Sequence, residues 1–153
     1  MENLRSAITR RDVVVFLRCL VDSASAPGYV YRFEPSAQAL ARYGEVFARW
    51  DREAERRAFL AMVGRVPEGL VPELVLIAPT FELQAPESVV VRAEYQLYVP
   101  YRESGVPSLA RGSVRWTFVP LPDGLWAIAR WRDFDATDTA AVSWSVLKAF
   151  WSR

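Results

Sequence analysis

Alternation of apolar and polar residues is clearest in the second half of the chain. Over 89–101 the odd positions are Val89, Val91, Ala93, Tyr95, Leu97, Val99 and Tyr101, while the even positions include Arg92, Glu94, Gln96 and Tyr98. A two-residue period predicts a strand with one face buried and the other wet. Over 110–120 the parity is reversed, with Val114, Trp116 and Phe118 on the apolar side and Arg111, Ser113, Arg115 and Thr117 on the polar side. The last extended segment is ambiguous. One of its faces carries Leu125, Ala127, Ala129, Trp131 and Asp133, the other Trp126, Ile128, Arg130, Arg132 and Phe134. The first set is expected inward, because Arg130 and Arg132 then join Arg92, Glu94 and Arg115 outside.

The first half follows a helical period. Leu4, Ala7 and Ile8 predict a short amphipathic helix over 3–10. Asp12 suits the N-cap of a second helix through about Val21, with Val13, Phe16, Leu17 and Leu20 on its apolar stripe. Pro27-Gly28 ends this region, and 29–34 alternates as a short strand closed by Pro35. Ser36 caps a helical turn to Tyr43, interrupted at Gly44, and Asp51 caps a helix to about Gly64. In that helix Phe59, Met62 and Val63 face in, and Arg52, Glu53, Glu55, Arg56 and Arg57 form a solvated face. After Pro67 the prolines at 72, 79, 86, 100, 107, 120 and 122 exclude long helices. Strands are expected at 73–84, 88–101, 109–120 and 124–135, joined by a loose hairpin at 103–107 and a tight one at Pro122-Asp123-Gly124. Such a succession is an antiparallel meander. A closing helix is predicted over 138–152. No repeat or linker divides residues 1–153, so one α+β domain is expected, with helices on a curved antiparallel sheet.

Composition changes this picture mainly by exclusion. The 153 residues contain no histidine and a single cysteine, Cys19. Histidine-dependent triads, the commonest zinc sites and an internal disulfide are thereby excluded. No metal or cofactor is expected. The formal net charge is +1, and acidic residues are interspersed among the arginines, so nucleic acid is not an expected partner. No apolar run reaches the length of a membrane span. The chain opens on a helix directly after Met1. The expectation is a cytoplasmic protein if the chain is complete, or an extracytoplasmic lipoprotein if an export signal has been removed.

Candidate chemistry lies on the inner face. Tyr95, Trp116, Phe118 and Trp131 are its aromatic residues, and the small Ala127 and Ala129 are expected to leave space above it for a ligand. Asp133 points the same way, and a buried carboxylate must be hydrogen-bonded or have a raised pKa. It is the first candidate for a functional residue, with Tyr95 or Tyr101 as a phenol partner, although nothing in the spacing brings them together. A purely structural role, accepting a bond from a Tyr or Trp, is the simpler reading of Asp133. Trp126 and Ile128, placed on an otherwise polar outer face, suggest a contact surface or a two-fold interface.

The order of elements resembles the NTF2-like superfamily, which includes SnoaL-like and ketosteroid-isomerase-like proteins. The hairpin Asp123-Gly124-Leu125-Trp126-Ala127-Ile128 is similar to the G-x-W-x-I ending common there. Tyr31-Arg32-Phe33-Glu34-Pro35, Phe47-Ala48-Arg49-Trp50-Asp51, Trp131-Arg132-Asp133 and Ser143-Trp144-Ser145-Val146-Leu147-Lys148 look like segments of uncharacterised bacterial NTF2-like proteins, many of them exported lipoproteins. The chain has no lipobox cysteine. The resemblance implies a cone-shaped fold and leaves enzyme and binding domain both open. Three readings follow. The first is a noncatalytic pocket for a small apolar ligand or a protein partner. The second is an isomerase, lyase or hydrolase using Asp133 with a tyrosine. The third is a dimerisation module acting through the outer sheet face.

Overall fold

A computed structural model describes all 153 residues. Two helices open the chain, α1 (Glu2–Arg10) and α2 (Val13–Arg18). Arg11 separates them in a left-handed conformation, and the Asp12 carboxylate accepts from the Val14 and Val15 N–H groups at 2.9 and 3.0 Å. These bonds satisfy donors that the start of α2 leaves free. The second helix ends earlier than its apolar stripe predicts. The backbone of 19–21 turns to the sheet instead, with Ile128 N–H donating to Cys19 at 2.8 Å and Val21 N–H donating to Ile128 at 2.9 Å.

Strand β1 (Arg32–Glu34) leads to α3 (Ala37–Phe47) and α4 (Arg52–Arg65), capped by Ser36 and Asp51 respectively. The break expected at Gly44 is a kink at Tyr43, and the helix resumes beyond it. Four long strands follow: β2 (Glu73–Ala85), β3 (Ser88–Tyr98), β4 (Leu109–Pro120) and β5 (Trp126–Asp135). The five strands are ordered β1-β5-β4-β3-β2, antiparallel except for the β1–β5 pair. The last helix, α5 (Trp144–Trp151), is shorter than predicted. Val142 is tied to β4, its carbonyl accepting from Arg111 N–H at 2.9 Å, and Ser143 then caps the helix.

The helices cover one face of the sheet and enclose a core of 30 buried residues. Trp116 and Trp131 are fully buried there, while Arg92 and Glu94 are exposed on the opposite face. The alternation along β3 and β4 therefore reads the two faces as expected. Along β5 it does so only in part. Thr117 pairs with Arg130, but Phe118 pairs with Ile128, so Ala129 is an extra residue in β5. A bulge of this kind reverses which side chains face which way. Trp131 and Asp133 lie inward, as expected. Before the bulge the assignment is inverted. Ile128 is 1% exposed and belongs to the main core. Ala127 packs instead with Val21 and Val119 in a separate small cluster, and Ala129 borders that cluster. Trp126 and Ile128 thus do not form an outer patch, and Ala127 and Ala129 leave no space above the inner face.

Candidate functional site

Tyr95 of β3 and Asp133 of β5 lie on either side of β4, and the fold brings their side chains into contact across it. The Tyr95 hydroxyl donates to Asp133 Oδ1 at 2.8 Å. Asp133 Oδ2 accepts from the Ser145 N–H at 2.7 Å and also from the Ser145 hydroxyl. Tyr95 Oη in turn accepts from the Trp144 N–H at 2.7 Å. Two of the donors that the first turn of α5 leaves free are thereby satisfied by β3 and β5. Burial pushes the Asp133 carboxyl up to about 6, against the lowering effect of the Ser145 and Tyr95 hydrogen bonds. Burial and the neighbouring carboxylate push the Tyr95 phenol well above its ordinary value.

Gly112 completes this arrangement. A Cβ there would overlap the Phe134 carbonyl oxygen and come within 2.8 Å of the Tyr95 hydroxyl oxygen. Only a glycine lets the ring end of Tyr95 pass so close to β4. Asp133 is 3% exposed and Tyr95 1% exposed. Their hydrogen bonds join strands to a helix, and no cavity of ligand size on the inner face includes either residue. Tyr101 lies apart from them, its hydroxyl accepting from the Trp151 indole.

A second buried polar group was not legible in the sequence. Glu55, expected on the solvated face of α4, is 1% exposed. Its Oε1 accepts from Lys148 Nζ at 2.7 Å, Tyr31 Oη at 2.7 Å and Trp50 Nε1 at 2.9 Å. Lys148, the only lysine of the chain, is 2% exposed and sits 3.7 Å from the Phe33 ring centroid and 3.8 Å from that of Trp131. Ring faces and a carboxylate together compensate an ammonium removed from water. Burial pulls the Lys148 pKa down, and Glu55 pulls it back up.

A mostly polar open cleft of about 580 Å³ is lined by Arg92, Glu94, Tyr95, Arg111 and Asp135, whereas the predominantly apolar cavity lies elsewhere. It has a volume of about 480 Å³ and is bounded by α1, α2 and the β4–β5 hairpin. Leu4, Trp116 and Ile128 are its most buried walls, at 2%, 0% and 1% exposed. Val15, Cys19 and Phe118 line its half-buried sides, and Leu125 and Trp126 stand exposed at its rim. Nine of its eleven lining residues are hydrophobic, and none is acidic. The Cys19 thiol donates to the Val15 carbonyl, and burial pushes its pKa up to about 11, so it is a neutral wall group. Of the residues expected at a pocket, Trp116 and Phe118 line this cavity. Tyr95, Ala127, Ala129, Trp131 and Asp133 do not. Trp126 and Ile128, expected at an interface, do. The contribution of Val15 and Cys19 had a partial signal in the apolar stripe of α2, which could not separate residues facing a core from residues facing a space.

No metal site is suggested by the side chains: no group of three His, Cys, Asp or Glu residues is placed to hold an ion. No helix is long and apolar enough to cross a membrane.

Neither a family model nor a curated protein matches the chain. Solved structures do. A protein of Novosphingobium aromaticivorans named as a candidate scytalone dehydratase aligns with a TM-score of 0.65 at 13% identity, covering 94% of this chain and 87% of the other. An NTF2-like protein of Cytophaga hutchinsonii aligns with a TM-score of 0.59 at 15% identity, covering 88% and 91%. A nuclear transport factor 2 (NTF2-like) superfamily protein of Salmonella enterica gives 0.57 at 13%, covering 90% and 87%. Strand order, helical cover and these alignments agree: the chain has the α+β cone fold of the NTF2-like superfamily.

Proposed function

We propose that residues 1–153 act as one noncatalytic domain that binds a small, largely apolar molecule in the cavity between α1, α2 and the β4–β5 hairpin. The observation that carries this reading is the cavity itself. Its volume of about 480 Å³ falls within the range of small-molecule sites, and its walls are predominantly hydrophobic. The noncatalytic part is supported by where the acid–base groups lie. General acid–base catalysis requires a titratable group within hydrogen-bond reach of the substrate. Asp133 and Tyr95 are directed at each other and at α5, and the cavity offers no carboxylate or phenol. Dehydratase chemistry, which the name of the Novosphingobium protein suggests for that protein, has no evident acid–base pair in this cavity.

Binding of the neutral fluorophore N-phenyl-1-naphthylamine tests the reading. The expected result is saturable 1:1 binding to the folded protein. Val15→Trp, which places a large ring in the cavity from α2, is expected to abolish that binding while leaving the far-ultraviolet dichroism unchanged. Absence of saturable binding, or binding indifferent to Val15→Trp, rejects the proposal.

A further inference from the structure

The polar part of the cavity is small and carries one sign. Besides the indole N–H groups of Trp116 and Trp126, the polar side-chain atoms of its lining belong to Asn3, Arg18 and Cys19, and Trp116 Nε1 is buried without a partner. Cys19 is engaged with the Val15 carbonyl. Arg18 is exposed at the mouth and has neither an ion pair nor a hydrogen bond to any other residue. Nearby arginines are differently placed. Arg5 of α1 pairs with Glu2 at 3.1 Å, and Arg52, packed against α2, pairs with Asp22 at 3.7 Å and donates to the Leu17 carbonyl at 3.0 Å. A guanidinium keeps its charge at all ordinary pH values and offers a planar fork of donors. The mouth of an otherwise apolar cavity thus bears a permanent cation with no counterion in the fold, and no lining carboxylate opposes it. The deep walls Leu4, Trp116 and Ile128 offer no accessible polar group, so the apolar part of a ligand must enter first.

Building on the binding role proposed above, we infer that the ligand is an amphipathic anion whose apolar body fills the cavity and whose carboxylate or sulfonate head stays at the mouth against Arg18. Asn3 supplies a neutral amide beside the same head. An exposed ion pair contributes modestly, so shape and apolar burial carry most of the affinity and Arg18 selects among apolar ligands.

A matched pair of probes separates the two parts. N-phenyl-1-naphthylamine and 8-anilino-1-naphthalenesulfonate share one ring skeleton and differ by a sulfonate. The sulfonate is expected to bind about fivefold more tightly at low ionic strength, and the advantage is expected to shrink as salt screens the exposed charge. Arg18→Gln is expected to remove the difference and leave the neutral probe unchanged. Arg18→Lys is expected to retain part of it, because the charge remains and the fork is lost. Equal affinities for the two probes, or a sulfonate preference that survives Arg18→Gln, overturns the inference while leaving the cavity proposal intact. If neither probe binds, the cavity proposal itself fails. Val15→Trp serves as the control for site, since it must abolish both.

Discussion

The two polar clusters under α5 and the cavity beside α1 lie against the same sheet and are built on opposite terms. Beneath α5, Asp133, Tyr95, Glu55 and Lys148 are almost completely buried, and their polar atoms face one another. Beside α1 the deep walls are apolar, and the charged group Arg18 stands at the mouth. Asp133, Glu55 and Lys148 are therefore spent on one another and on the fold, while the apolar cavity holds residues suited to contact. A buried titratable group is a functional candidate only when its bonding capacity is incomplete. Asp133 has a raised pKa and a full set of donors around it, so burial alone explains the shift.

The contrast is broken most severely at Glu55. Glu55→Gln leaves the Lys148 ammonium without its carboxylate and is expected to cost about 3–5 kcal/mol in chemical denaturation. The double substitution Glu55→Leu with Lys148→Met is expected to recover most of that loss. A Glu55→Gln protein as stable as the parent would show that the aromatic rings alone hold the ammonium. Next in size is the pH response of Asp133. Its carboxyl binds a proton more tightly in the folded chain than in the unfolded one, because the folded value is raised to about 6 from 3.8. The associated stability is complete below the lower value and is lost as pH rises through the upper one. Relative to Asp133→Asn, the parent protein is expected to gain roughly 2–3 kcal/mol as pH falls through that window. Urea midpoints that run parallel for the two proteins from pH ~7 to pH ~4 would refute this.

Gly112→Ala tests the same cluster sterically. The added methyl must displace either the Phe134 carbonyl or the Tyr95 hydroxyl, at an expected cost of about 2 kcal/mol. Loss of the tyrosine contact should appear as faster amide exchange at Trp144 and Ser145, and unchanged exchange there would place the strain elsewhere. The smallest effect belongs to the cavity side. Arg18→Gln removes no bond made by the folded chain, so stability is expected to stay within about 0.5 kcal/mol while anion selectivity changes. A larger loss of stability would mean that Arg18 serves the fold and is not free for a ligand.

What the chain determined by itself was the pattern that depends on neighbours in sequence. The caps at Asp12, Ser36 and Asp51, and the faces of β3 and β4, follow from side chains a few residues apart, and all appear as expected. Tertiary structure decided the rest. The bulge at Ala129 depends on how β5 registers against β4 and how 19–21 pairs with Ile128, a contact more than a hundred residues away in sequence. Glu55 read as a surface charge, and nothing local marked Lys148 as buried, because their compensation comes from Tyr31, Phe33, Trp50 and Trp131, which lie on other elements or beyond the helix start. Periodicity is local to one segment. The sign of a face after a bulge, and the burial of a charge, are set only when distant segments meet.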